Sequence, residues 1–314
     1  MNRYTKVCCG LLLAGGFAAL AGCERPVPPN PRVSASNVEE LKKAFGAGAT
    51  DAGPATAAVA VAEPTGWSTL TGKFVLAGTP PARTPLAITK DPAVCAPGGK
   101  TVFDEKLVVG PGNGIKDVVI YLVTKTPAND PKWEHPDLAA LATAEVVFDQ
   151  KDCVFLDHVF AMRSTQTMLI KNSDPVGHNT AINPSAGSRV KSVNVLLPAT
   201  SDTTYVPGGE STVPNPVSCS IHPWMSALVI TRNNPYFAVT KDDGTFEIKN
   251  VPAGVDLEFA VWQEKAGFIG TVQVAEGSGA PAAGTWKRGR FKRKLTPDTP
   301  LEMTVTVDAS LFGK

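Results

Sequence analysis

A thiolate, an imidazole and a thioether stand close together in Cys219-Ser220-Ile221-His222-Pro223-Trp224-Met225, directly before a strand-like apolar stretch. A second imidazole, His178, lies upstream in Asn172-Ser173-Asp174-Pro175-Val176-Gly177-His178-Asn179, a turn-rich loop that follows the strand-like Thr167-Met168-Leu169-Ile170-Lys171. One soft thiolate, two borderline imidazoles and one weak thioether together form a ligand set for copper that passes single electrons. Taken singly these residues say less. A free cysteine is often only a small buried hydrophobe, and methionine fills cores. Zinc fits the set less well, because closed zinc sites use Cys and His and open ones use harder ligands, so a thioether has no role there. A Cys-His nucleophilic pair fits least, since the loop supplies no orienting third group.

The Cys-x-x-His-x-x-Met spacing, together with a lone upstream His followed by Asn, resembles the cupredoxin family, in particular its short-loop amicyanin and pseudoazurin kind. The resemblance covers roughly residues 145–232. It implies one type 1 (blue) copper held by Cys219, His178, His222 and the axial Met225. Asn179 is then a brace that hydrogen-bonds to the backbone of the Cys219 loop, the kind of outer contact that orients ligands and tunes a metal. The resemblance also implies that electrons pass through an exposed edge of His222, with Pro223 and Trp224 forming the face on which a partner docks. Sequence before residue 145 is longer than a minimal cupredoxin needs.

The elements that must position these ligands read as strands. The chain holds 27 prolines and 28 glycines among short apolar runs, a composition of β-sandwiches with little helix. Expected strands are 71–77, 106–109, 118–123, 145–149, 159–162, 167–171, 190–197 and 227–231, with a turn at Gly110-Pro111-Gly112-Asn113-Gly114. The fold class is all-β: a cupredoxin Greek-key sandwich over 65–232, with its core at 145–232, followed by a second, smaller sandwich over 235–308. In that second segment Asp242-Asp243-Gly244 signals a hairpin, and Val251-Pro252-Ala253-Gly254 a turn before the run 257–262. It resembles a carboxypeptidase-regulatory-like, transthyretin-type module, which implies a scaffold. The order of the two units also resembles exported bacterial proteins of the methylamine-utilisation group, which implies a redox setting.

Residues 1–22 read as an export signal: Arg3 and Lys6, then a short apolar run. Leu20-Ala21-Gly22-Cys23 resembles the lipobox of bacterial lipoproteins, which implies that Cys23 becomes a lipidated N-terminus. Residues 23–64, rich in Pro, Ala and Gly, then form a flexible tether. Ser36-Asn37-Val38-Glu39 within it fits a capping box for a short helix at 40–45. With Cys8 and Cys9 leaving in the signal and Cys23 lipidated, an odd set remains: Cys95, Cys153 and Cys219. In an oxidising compartment this arithmetic pairs Cys95 with Cys153 and reserves Cys219 for metal, the alternative being two separately buried thiols.

A formal net charge of +1 with 19% charged residues argues against a nucleic-acid binder. The basic segment 287–294, around Trp286 and Phe291, reads as the solvated face of an edge strand, or as a docking patch for an anionic partner. The expected function is a copper electron carrier, lipid-anchored in the bacterial cell envelope and facing the periplasm. It serves a redox protein partner and is not an enzyme with a small-molecule substrate. Copper storage or delivery, and a metal-free structural lipoprotein, are the other readings.

Overall fold

The computed structural model describes Glu40, residues 62–128 and residues 130–313. The expected signal at 1–22, Cys23 and nearly all of the tether at 23–64 lie outside the described residues. No described helix is long and apolar enough to cross a membrane. The chain divides into a unit 1–60 and a unit 61–314, and every sheet among the described residues belongs to the second.

The described fold is all-β. Two strands come first, β1 (Gly66–Ala77) and β2 (Val119–Leu122). Nine follow in a central block: β3 (Glu145–Lys151), β4 (Val154–Phe155), β5 (Val159–Arg163), β6 (Thr167–Asn172), β7 (His178–Ile182), β8 (Val193–Leu197), β9 (Ser201–Tyr205), β10 (Asn215–Ser218) and β11 (Ser226–Arg232). The last are β12 (Phe237–Val239), β13 (Thr245–Ala253), β14 (Asp256–Gln263), β15 (Gly267–Phe268), β16 (Thr271–Glu276), β17 (Ala282–Thr285), β18 (Arg290–Lys294) and β19 (Leu301–Asp308).

The central block folds on itself. One sheet has the order β5-β11-β10-β7-β8 and the other β4-β3-β6-β9. Phe148, Ile170, Met168, Leu197, Val217 and Val229 interdigitate between them in one core. This inner sandwich is consistent with a cupredoxin-like fold.

A border near residue 235 was expected, with two units in succession. The strand pairing is different: β1 pairs antiparallel with β13 and parallel with β19, while β2 lies between β12 and β14. Residues 66–122 therefore complete the C-terminal sandwich, and the inner sandwich is inserted into it. The physical reason lies in β2. All four of its residues are buried, as expected of a strand covered on both faces. Ile120 and Leu122 join the outer core with Phe74, Phe259 and Val305. Val119 and Tyr121 point the other way, against Val159, Leu228 and Ile230 of the inner sandwich. Polar groups tie the same junction. Arg232 donates to the Leu122 carbonyl at 3.0 Å and lies 4.3 Å over the Tyr121 ring, and His158 pairs with Glu264 at 2.6 Å.

Other differences are local. Residues 106–109 form no strand, only a bridge from Val109 to Ile115 across the glycine-rich turn. His178 and Asn179, read as the end of a loop, instead open strand β7. The basic segment forms a turn and then β18, which pairs with β14. Arg290 meets Glu258, Arg293 meets Glu276, and Phe291 is buried.

Candidate metal centre

A turn, the start of a strand and a hairpin loop build the site. The turn between β10 and β11 carries Cys219, His222 and Met225, and closes on itself through Met225 N–H to the His222 carbonyl at 2.9 Å and Cys219 N–H to the Met225 carbonyl at 3.3 Å. The strand β7 opens with His178, and its neighbour β10 aligns the two parts. The third part is the β3–β4 hairpin. Its turn residues Asp152 and Cys153 have φ of 53° and 54°, the left-handed pair of a two-residue hairpin turn.

These parts converge on one buried spot. The Cys219 sulfur and a ring nitrogen from each of His178 and His222 lie within 4.8 Å of one another. His178 and His222 are 0% exposed, Cys219 is 2% and Met225 1%. Nδ1 of His178 is 2.9 Å from Nδ1 of His222, which in turn is 3.9 Å from the Cys219 sulfur. The methionine is packed in the same core.

Asn179 sits where a brace is expected. Its Oδ1 accepts from Ser220 N–H and, at 2.7 Å, from the Ser220 hydroxyl. Its own N–H donates to the Cys219 sulfur at 3.4 Å. Both ends of the residue thus fasten the Cys219 loop.

Each imidazole has a carboxylate behind it. Nε2 of His178 is 2.7 Å from Asp174 Oδ2, and Nε2 of His222 is 2.9 Å from Asp91 Oδ2. A carboxylate only accepts, so Nε2 carries the proton in both rings and Nδ1 is left as an acceptor. Two Nδ1 atoms then face each other beside a thiol, at a spot buried from solvent. Such a donor set calls for a cation, and its composition fits copper.

The electrostatics point the same way. Burial raises the Cys219 thiol, but its contacts with His178, the Asn179 N–H and His222 outweigh that and bring the thiol down to about 6. Burial lowers His178, yet bonding to Cys219 and Asp174 raises it overall. A thiolate is therefore available as a ligand near neutral pH.

The resemblance implied an exposed edge on His222. Here that edge is closed, because the segment between β1 and β2 crosses to the inner sandwich and lays Asp91 on Nε2. Asp91 precedes the helical turn Pro92–Cys95, and Cys95 is joined to Cys153 by a disulfide. Ile88 and Val94 pack on the inner core beside it. Pro223 is exposed and Trp224 half-buried, with the Trp224 ring 5.2 Å from that of His222 and its indole N–H donating to the Cys153 carbonyl at 3.1 Å.

Asp174 and Asp91 were not singled out by sequence. Asp174 was within reach, lying in the same turn as His178 and receiving the N–H groups of Asp152 and Cys153 at 2.8 Å each. Asp91 had no signal, being 131 positions from His222.

No family model and no curated protein matches this chain. Among solved structures, amicyanin from Paracoccus versutus matches at 15% identity, covering 36% of this chain and 97% of that one, with a TM-score of 0.25. A mutant amicyanin in its reduced Cu(I) form matches at 14%, over 36% of this chain and 98% of that one, again with a TM-score of 0.25. A copper-containing nitrite reductase from Thermus scotoductus SA-01 matches at 15%, over 28% of this chain and 22% of that one, also at 0.25.

Proposed function

We propose that this chain is a copper electron carrier, with one metal held by Cys219, His178 and His222 and with Met225 as a weak axial ligand. The convergence of two imidazole Nδ1 atoms and a thiol of lowered pKa at one buried spot carries this reading. Bound copper supplies one-electron chemistry between Cu(I) and Cu(II). The protein's part is to hold the donors still. Asp174 and Asn179 fix His178 and the Cys219 loop from outside, and such support limits rearrangement between oxidation states. All four donors are buried, which leaves no opening for a substrate and favours a carrier over an enzyme. The same burial slows metal exchange and so favours a carrier over rapid copper delivery.

The lipobox-like Cys23 supports lipid anchorage outside the cytoplasm. The outer sandwich and tether then present the copper unit to a redox protein, with Pro223 and Trp224 beside the site as the docking face.

The test is the visible absorption of the full chain after addition of Cu(II), beside the variants Cys219→Ser and Met225→Leu. The expected result is an intense thiolate-to-copper band that Cys219→Ser abolishes. Met225→Leu keeps the band and raises the reduction potential, because the weak axial ligand tunes it. A band that persists in Cys219→Ser refutes the ligand assignment.

A further inference from the structure

Asp91 reaches the site from a part of the chain that the inner sandwich does not itself contain. The stem of its loop is a short ladder in which Leu86 N–H donates to the Val102 carbonyl at 2.8 Å and Asp104 N–H to the Thr84 carbonyl at 2.9 Å. From that stem the chain runs over the inner core through Ile88 and is locked by the Cys95–Cys153 disulfide. Cys153 is in turn held by Asp174, the residue behind His178, and by Trp224, the residue beside His222. The carboxylate on His222 is thus fastened to both halves of the metal centre. Asp91 itself has φ 48°, a left-handed conformation that Asp tolerates better than most residues, and its side chain is 34% exposed.

We propose that Asp91 is a positioning residue for the metal: its carboxylate takes the Nε2–H of His222, so that Nδ1 is the nitrogen presented to Cys219 and His178, and it seals the imidazole edge from solvent. This rests on the copper reading above, and deepens it. A neutral imidazole left free exchanges its proton between two nitrogens, and the partner of one nitrogen decides what the other can ligate. His222 is the ligand that most needs such a partner. Its Nδ1 faces His178 and Cys219, so Nε2 is the nitrogen on which a partner from outside the site can act. A carboxylate partner also makes the ring a stronger donor, which favours Cu(II) over Cu(I). The Trp224 ring lies 5.2 Å from that of His222.

The experiment compares the full chain with Asp91→Ala and Asp91→Asn. In the metal-free protein, nitrogen-15 correlation of the imidazoles reads the tautomer directly. The parent is expected to carry the His222 proton on Nε2 alone, and Asp91→Ala to show both tautomers. With Cu(II) added, Asp91→Ala keeps the thiolate band but binds copper about 10- to 100-fold more weakly, the usual cost of losing an outer partner. Asp91→Asn retains an acceptor oxygen without the charge, so it keeps the tautomer while its reduction potential rises. A parent His222 protonated on Nδ1 overturns the proposal, whether or not either variant folds. So does an Asp91→Ala protein with the parent's affinity and potential. Absence of any band in the parent refutes the copper reading alone, and the tautomer of His222 then still decides the role of Asp91.

Discussion

Asp117 lies two residues before β2 and is 6% exposed, with its Oδ2 left without a hydrogen-bond partner. Burial raises its carboxyl to about 6, although Lys116 and His158 pull in the other direction. A raised folded value means that the folded chain holds a proton the unfolded chain has released. The stabilisation is therefore complete below the unfolded value of 3.8 and is lost as pH rises through about 6. The shift corresponds to about 3 kcal/mol for the one group. Asp117→Asn keeps the side-chain shape and suits the φ of 62° at this position. Denaturant unfolding from pH 4 to pH 7 is expected to show a fall in stability for the parent and a flatter profile for the variant. Equal slopes would show that Asp117 is ionised without cost. Cys219 contrasts with it: also an acid and also buried, it is lowered because His178, the Asn179 N–H and His222 all bond to it, whereas Asp117 Oδ2 has no partner.

At the scale of elements, the two turns that pin β1, β2 and β13 together are stacked backbone to backbone. Gly114 closes the first turn, and a Cβ added there would meet the Asp243 carbonyl oxygen at 1.9 Å and its carbon at 2.0 Å. Gly244, in the second turn, has φ +81°, and a Cβ there would meet the Phe74 carbonyl oxygen at 2.3 Å. Neither contact is with a flexible side chain that could move aside. Gly114→Ala is expected to cost about 1–3 kcal/mol or more in denaturant unfolding, with the loss in the outer sandwich. A variant as stable as the parent would mean that the two turns separate freely. Both turns were visible in sequence as Gly-Pro-Gly-Asn-Gly and Asp-Asp-Gly, because turn chemistry is local. Their contact was not, since it depends on long-range pairing. The same division holds at the metal centre. Cys219, His222 and Met225, the candidate donors, stand out by their spacing along one loop. The start of β7 at His178 was hidden by Pro175 and Gly177, which read as turn, and Asp91 was hidden because a hydrogen bond across a fold leaves no periodicity behind.

For the molecule as a whole, the interleaving of the two sandwiches decides which pieces can stand alone. A division after residue 232 was the natural reading of the sequence, since the copper-type loop ends there and the hairpin signals begin soon after. It fails because β1 and β2 find their partners only beyond residue 235. A chain ending at Asn234 keeps all nine strands of the inner sandwich but removes β12, β13, β14 and β19. Its β1 then has no sheet to join, and Phe74, Ile120 and Leu122 lose the core that buries them. The junction face of the inner sandwich, with Leu228 and Ile230, is uncovered as well. Hydrogen exchange of the truncated chain is therefore expected to show no protection at 66–77 and 119–122, with protection kept across 145–232. Because Cys95 remains tied to Cys153, the cover over His222 is held at one end only, its anchorage through β1 and β2 being gone. On the copper function proposed above, the thiolate-to-copper band survives truncation while copper is lost to a chelator faster than from the full chain. Protection persisting at 66–77 would mean that β1 belongs to the inner sandwich after all. An unchanged rate of copper loss would mean that the disulfide alone holds the cover, and that the outer sandwich contributes nothing to closing the site.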